Sequence, residues 1–239
     1  EMVVQWYEEH LDTPFEGTSP PWLYNKYVGH DNNRDWFMFN LQESVNIGKV
    51  LYHDWFPQIV YDIHQMGNRG ARFFVPPFFD PPNPEIDPII LREILLLGGA
   101  ATAELAAEGL TGVVTNAMYD TWWHGGMRSG PYYHNMVGLL TEAASVNIAT
   151  PVEIPEETLT SSTRGLPDPR TVLTNHPDPW PGGLWTLGDI VKYEEVTIRA
   201  FLTAAARYRE MFINNFVLMA QKAVARGQTE PPYAFVLPA

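Results

Sequence analysis

Two periodicities alternate along this chain, one of helices and one of strands. The longest apolar stretch, "PIILREILLLGGAATAELAAEGL", carries Arg92, Glu93, Glu104 and Glu108 at helical spacing, which predicts an amphipathic helix over 88–109 and not a membrane span. Leu41, Val45, Val50 and Leu51 fall near one helical face of "LQESVNIGKVLYHDW", and Pro57 ends that helix. A first helix is expected over "EMVVQWYEEHL". "QIVYDI", "TGVVTN" and "MVGLLTE" read as short buried strands. The proline-dense segment from Phe73 to Pro88 reads as an ordered loop without regular structure. The Pro-, Thr- and Ser-rich stretch 151–185 reads as a surface excursion. Thr186 and Asp189 are placed to cap one long helix over 186–227, with Gly227 as its stop. Strands alternating with long helices predict an α/β layered fold with a mainly parallel sheet, in a single domain over 1–239.

Composition narrows the function classes. The 28 acidic residues outnumber the 15 basic ones, for a formal charge of −13, which argues against nucleic acid or an anionic membrane as a main partner. The absence of cysteine removes disulfides, thiolate zinc sites and cysteine nucleophiles together.

Chemistry gathers at strand ends, where open α/β sheets bind their ligands. His64 closes "QIVYDI" and Glu142 closes "VGLLT", while "TGVVTN" leads directly into Tyr119. Asp62 and His64 are two apart, so on a strand both face one side and Asp62 can orient His64. Between the second and third strands, "MYDTWWHGGMRSGPYYHN" is a glycine- and aromatic-rich loop long enough to act as a lid.

Taken in order, these residues resemble the zinc carboxypeptidases, the funnelin group related to carboxypeptidase A. "DNNRDW" resembles that family's Asn-Arg signature at Asn33 and Arg34. "VYDIHQMG" resembles the strand bearing its third zinc ligand, at His64. "NAMYDTWWHGG" resembles its tyrosine loop, at Tyr119, and "VGLLTEAAS" the strand ending in its catalytic base, at Glu142. The resemblance covers about residues 20 to 150. It implies a three-layer helix/sheet/helix fold with a mixed twisted sheet, and a zinc-dependent metallocarboxypeptidase acting on peptide C-termini. Glu142 would be the base, His64 a Zn2+ ligand, Asn33 and Arg34 the carboxylate clamp, and Tyr119 a cover. Arg128 sits near the family's side-chain pocket and would favour acidic C-terminal residues. Family habit also implies an exported bacterial enzyme.

The chain departs from that pattern in one respect that matters. None of its 7 histidines is followed by Glu three positions later, so the family's His-x-x-Glu zinc motif is missing and, with it, two of three zinc ligands. The family's additional substrate-binding arginine has only Lys26 as a counterpart. The expectation is a C-terminal part of a longer catalytic domain, with the remaining ligands supplied upstream of Glu1. The sheet edge exposed by the lost strands would be covered by that segment or by another chain. Two alternatives stand beside it: a deacylase of the same fold, resembling aspartoacylase and succinylglutamate desuccinylase, and a non-catalytic binding or structural subunit.

Overall fold

The computed structural model describes residues 2–21 and 29–237. Lys26 lies outside the described residues. The elements in chain order are α1 (Met2–Glu9), α2 (Gln42–Lys49), β1 (Ile59–Met66), β2 (Phe73–Phe74), α3 (Pro88–Ala107), β3 (Val113–Val114), β4 (Val137–Ala144), β5 (Val152–Pro155), β6 (Gly182–Trp185), α4 (Leu187–Arg207) and α5 (Arg209–Thr229).

The central sheet has four strands in the order β1-β4-β2-β3. β1 runs parallel to β4, β2 antiparallel to β4, and β3 parallel to β2. The fold is therefore mixed α/β with a mostly parallel sheet. β4 lies between two neighbours and is buried at every position, its apolar run interrupted only by Thr141 and Glu142. β1 pairs with β4 on one side only, and no strand lies along its outer side among the described residues.

Side-chain alternation divides the sheet into two faces. Tyr61, Thr141 and Phe73 point toward α4: Tyr61 packs on Phe201, Phe73 on Tyr193, and Glu194 accepts hydrogen bonds from both Tyr61 and Thr141. Val60, Asp62, His64, Glu142 and Phe74 point the other way. α3 and α4 pack against each other and both reach β4. Ile90, Ile94, Leu97 and Leu105 of α3 are buried in this core, each contributing about 2 kcal/mol relative to exposure. Gly98 lets α3 approach the 76–77 segment, since a Cβ there would lie 1.8 Å from Pro76 O. Asp87 caps α3 by accepting from Ile89 N, and Thr186 with Asp189 forms a reciprocal capping box on α4, as the sequence predicts.

Four expectations need correction. The single helix over 186–227 is two helices, broken at Tyr208, whose φ of −107° and ψ of 20° leave the helical region. The break is a kink and not a reversal. Contacts to α3 run on antiparallel, from Lys192 and Arg199 at Glu108, through Asn215 at Glu93, to Lys222 at Asp87. The helix ended by Pro57 is likewise α2 followed by one π-type turn over Val50–Trp55, closed by Phe56 in the left-handed region. Within the proline-dense loop, Phe73 and Phe74 form a strand, one ring to each sheet face. The 151–185 excursion is more than surface: β5 and β6 pair antiparallel, and Ile154, Leu159, Leu166, His176 and Trp185 are buried.

Candidate active site

The site forms on the face of β1 and β4 away from α4. Parallel pairing sets His64 directly opposite Glu142, and Asp62 opposite Leu140. His64 and Glu142, 78 positions apart in sequence, are thus side by side on one face.

The segment 31–36 closes over them from the adjacent loop. Asp31 accepts from Asn33 N at 2.8 Å, which starts a short turn over Asn32–Arg34. Fully buried Asp35 accepts from Asn40 N at 3.0 Å and Leu41 N at 2.9 Å, and Trp36 N donates to Gly125 O. These bonds fix the position of Asn33. Its Oδ1 accepts from Met127 N at 2.6 Å, which turns its Nδ2 toward Asp62 Oδ2 (3.4 Å) and His64 Nε2 (2.8 Å).

His64 Nε2 therefore has two alternative partners. Carrying a proton, it donates to Asp62 Oδ2 at 2.9 Å; without one, it accepts from Asn33 Nδ2. The Asp62 hydrogen bond pushes the His64 pKa up, against the effect of burial, and Glu142 adds to the rise. Nδ1 of His64 has no hydrogen-bond partner among the described residues.

Glu142 is 6% exposed. Burial pushes its carboxyl up to about 7, opposed by His64, a Tyr119 hydrogen bond and Arg128, and reinforced by Asp62. Such a carboxyl changes charge near neutral pH, which suits proton transfer. The Tyr119 hydroxyl is pushed up by burial and by Glu142, so it stays protonated beside that carboxyl. Its ring packs on Phe74, at 4.9 Å between centroids. The Arg128 guanidinium lies 6.0 Å from the Tyr119 ring centre and 5.7 Å from that of Phe78, and donates to Asp120 O at 3.1 Å. Its Nε is buried without a partner.

An open groove of about 750 Å³ runs along the outer edge of β1, lined on this face by Asn33, Arg34, Asp62, His64 and Met127 and on the α4 face by Ile190 and Glu194. Arg34 is half-exposed at its rim, donating to Asn33 O at 2.8 Å and 3.8 Å from Asp31. Glu142, Tyr119 and Arg128 do not line the groove. They form a second, buried layer beside it. All six residues singled out in the sequence thus collect on one face, in two layers. His124 and His134 stay out of it, His134 stacking on Tyr52 and His124 lying against Phe37.

The sequence reading missed Glu194, Arg164 and His176. Glu194 sits on the buried stripe of α4 with Thr197 and Phe201, so an acid on an apolar helical face was the available signal. Arg164 and His176 carry none, because their partners, backbone carbonyls and the Asp120 carboxylate, are brought to them by the fold and by no local pattern.

The donors for a metal are incomplete. An imidazole with one nitrogen held by a carboxylate and the other free is the arrangement of a metal ligand. Among the described residues, however, no group of three or more His, Asp or Glu side chains could hold a metal ion. The residues present therefore do not fit a zinc site by themselves. No helix among the described residues is long and apolar enough to cross a membrane. In comparisons with protein-family models, curated proteins and solved structures, nothing matches this chain.

Proposed function

We propose that this face is the substrate-binding and proton-transfer part of a hydrolytic centre of the zinc-carboxypeptidase type, acting on the C-terminal end of peptides. The observation that carries the reading is the in-register pairing of His64 with Glu142 beneath Asn33 and Arg34. In this reading the carboxypeptidase-like three-layer arrangement is completed by further polypeptide along the outer side of β1. That polypeptide would also supply the two zinc ligands of the missing His-x-x-Glu motif.

Each group has a defined task. Arg34, exposed at the groove rim, offers a guanidinium fork to a terminal carboxylate, with the Asn32–Asn33 turn beside it. Glu142, poised near neutrality by burial, takes and returns the proton. Tyr119, protonated beside Glu142, borders the reacting end. The charge of Arg128 reaches both Glu142 and Tyr119, and in this reading favours an acidic C-terminal side chain. Zinc, were its remaining ligands provided beside His64, would supply an activated water there.

A second reading is favoured by one observation, the incomplete donor set. The groove then binds peptide or acyl-amino-acid carboxylates without turnover, as a binding subunit does. Calorimetry with paired peptides of free and amidated C-terminus tests what the two readings share. Free-acid peptides ending in Glu should bind at least about tenfold tighter than their amides, and Arg34→Ala should erase the difference. Equal binding of acid and amide overturns carboxylate recognition, and a preference for Lys over Glu and Phe overturns the role of Arg128. Zinc content of the native protein, with cleavage assayed alongside, separates the enzyme from the binding subunit.

A further inference from the structure

The residues 163–178 lie as a strap along residues 112–120, the segment that carries Tyr119. Gly112 N donates to Asp178 O, Thr115 N to Asn175 O, and Met118 N to Arg164 O. Asn175 Nδ2 returns to Thr115 O at 2.8 Å. Fully buried His176 pegs the middle: its Nδ1 is 3.0 Å from Val113 O and its Nε2 is 3.0 Å from Pro169 O. Gly165, at a φ of +78°, brings the strap backbone against residues 116–117, where a Cβ would meet Asn116 O at 2.4 Å.

The grip is closest on either side of Tyr119. Arg164 Nη2 donates both to Met118 O at 2.7 Å and to the Asp120 carboxylate at 2.9 Å. Tyr119 O accepts from Phe79 N, Tyr119 N donates to Ala117 O, and Asp120 O accepts from Arg128. A hinged cover needs backbone groups free to change partners, and residues 118–120 have every carbonyl already engaged. Tyr119 is thereby held at Glu142.

We propose that Arg164 is a positioning residue, through which the 163–178 strap holds Tyr119 in a fixed place beside Glu142 and not as a mobile lid. The inference rests on the reading of Tyr119 as part of the Glu142 site. Its test follows the tyrosine ring itself, so the presence or absence of hydrolysis does not enter.

NMR of the whole chain provides that test. The ring protons of Tyr119, assigned by their loss in Tyr119→Phe, are displaced by the Phe74 ring current. Arg164→Ala should bring them back toward free-tyrosine values and speed amide exchange at 118–120 by about tenfold or more. Arg164→Lys should restore the shifts in part, since an ammonium can still reach Asp120 or Met118 O. Arg170→Ala, on the same strap but paired only with its neighbour Asp168, should change neither. Unchanged shifts in Arg164→Ala, or equal changes in Arg170→Ala, overturn the proposal. Should Arg164→Ala fail to fold, Arg164→Lys alone decides: shifts identical to the parent, with unchanged exchange, overturn it, and partial displacement with faster exchange upholds it.

Discussion

Glu142→Gln should make this protein more stable at alkaline pH and leave it almost unchanged at acid pH. The carboxyl is 6% exposed and its pKa is raised from 4.5 to about 7, burial being the main cause. The sign follows from linkage. A carboxyl with a raised folded pKa contributes its full stability below its unfolded value near 4.5 and loses it as pH rises through about 7. At 1.36 kcal/mol per pH unit, the wild type gives up about 3 kcal/mol between those limits. Glutamine, neutral and nearly isosteric, gives up none of it. The attraction between Glu142 and His64 is already contained in the value of about 7, so the expected net gain at about pH 9 is about 3 kcal/mol. Urea unfolding across the range, analysed by linear extrapolation with an unchanged slope, measures it. A stability difference that stays flat with pH, or a variant less stable than the parent at pH 9, would refute both the burial argument and the claim that Glu142 is poised near neutrality.

Other outcomes follow from neighbouring contacts. Asp62→Asn removes the main cause of the raised His64 pKa, so the imidazole should titrate lower by NMR. The sign here is the same as for Glu142: the stability from a raised histidine pKa is present at low pH and lost as pH rises. The cost should therefore be on the order of 2 kcal/mol near pH 5 and shrink in alkali; a cost independent of pH would rule this out. Gly138→Ala places a Cβ 1.7 Å from Arg128 O. It should lower stability by about 1–3 kcal/mol and lift the Arg128 loop off β4, visible as faster amide exchange around residue 128. An unshifted melting temperature would contradict the packing described for that strand.

Much of the fold was legible in the sequence because its signals were local. The helix predicted over 88–109 is α3, the caps at Thr186 and Asp189 form, and the three strands exist, although only β4 is buried throughout: β1, at the sheet edge, leaves Ile63 51% exposed. Asp62 and His64 share a face, as two-residue periodicity demands. What escaped depends on partners far along the chain. Phe73 and Phe74 sit among prolines and become a strand only because β4 and β3 flank them. β5 and β6 are short, and they find each other across a long loop. The kink at Tyr208 lies within a strong helical pattern, Ala204 to Met211, with no Gly or Pro to mark it. The candidate site was readable as a set of residue types in order, but its two layers were not. Whether a group lines the groove or lies beneath it depends on loop closure by segments 31–36 and 116–128, and no periodicity reports that. The tyrosine segment shows the same limit: glycine and aromatic content suggested a lid, whereas Arg164, 45 residues after Tyr119, ties it down.

The unbroken burial of β4 also bears on how such a site can diversify. Any replacement along that strand disturbs packing on one side of the sheet or the other, so Glu142 sits in a bed that tolerates almost no drift. Arg34 instead projects from a half-exposed turn whose neighbours on the rim are free to vary at little thermodynamic penalty. Descendants of this protein should therefore change what they hold long before they change the carboxyl beneath it.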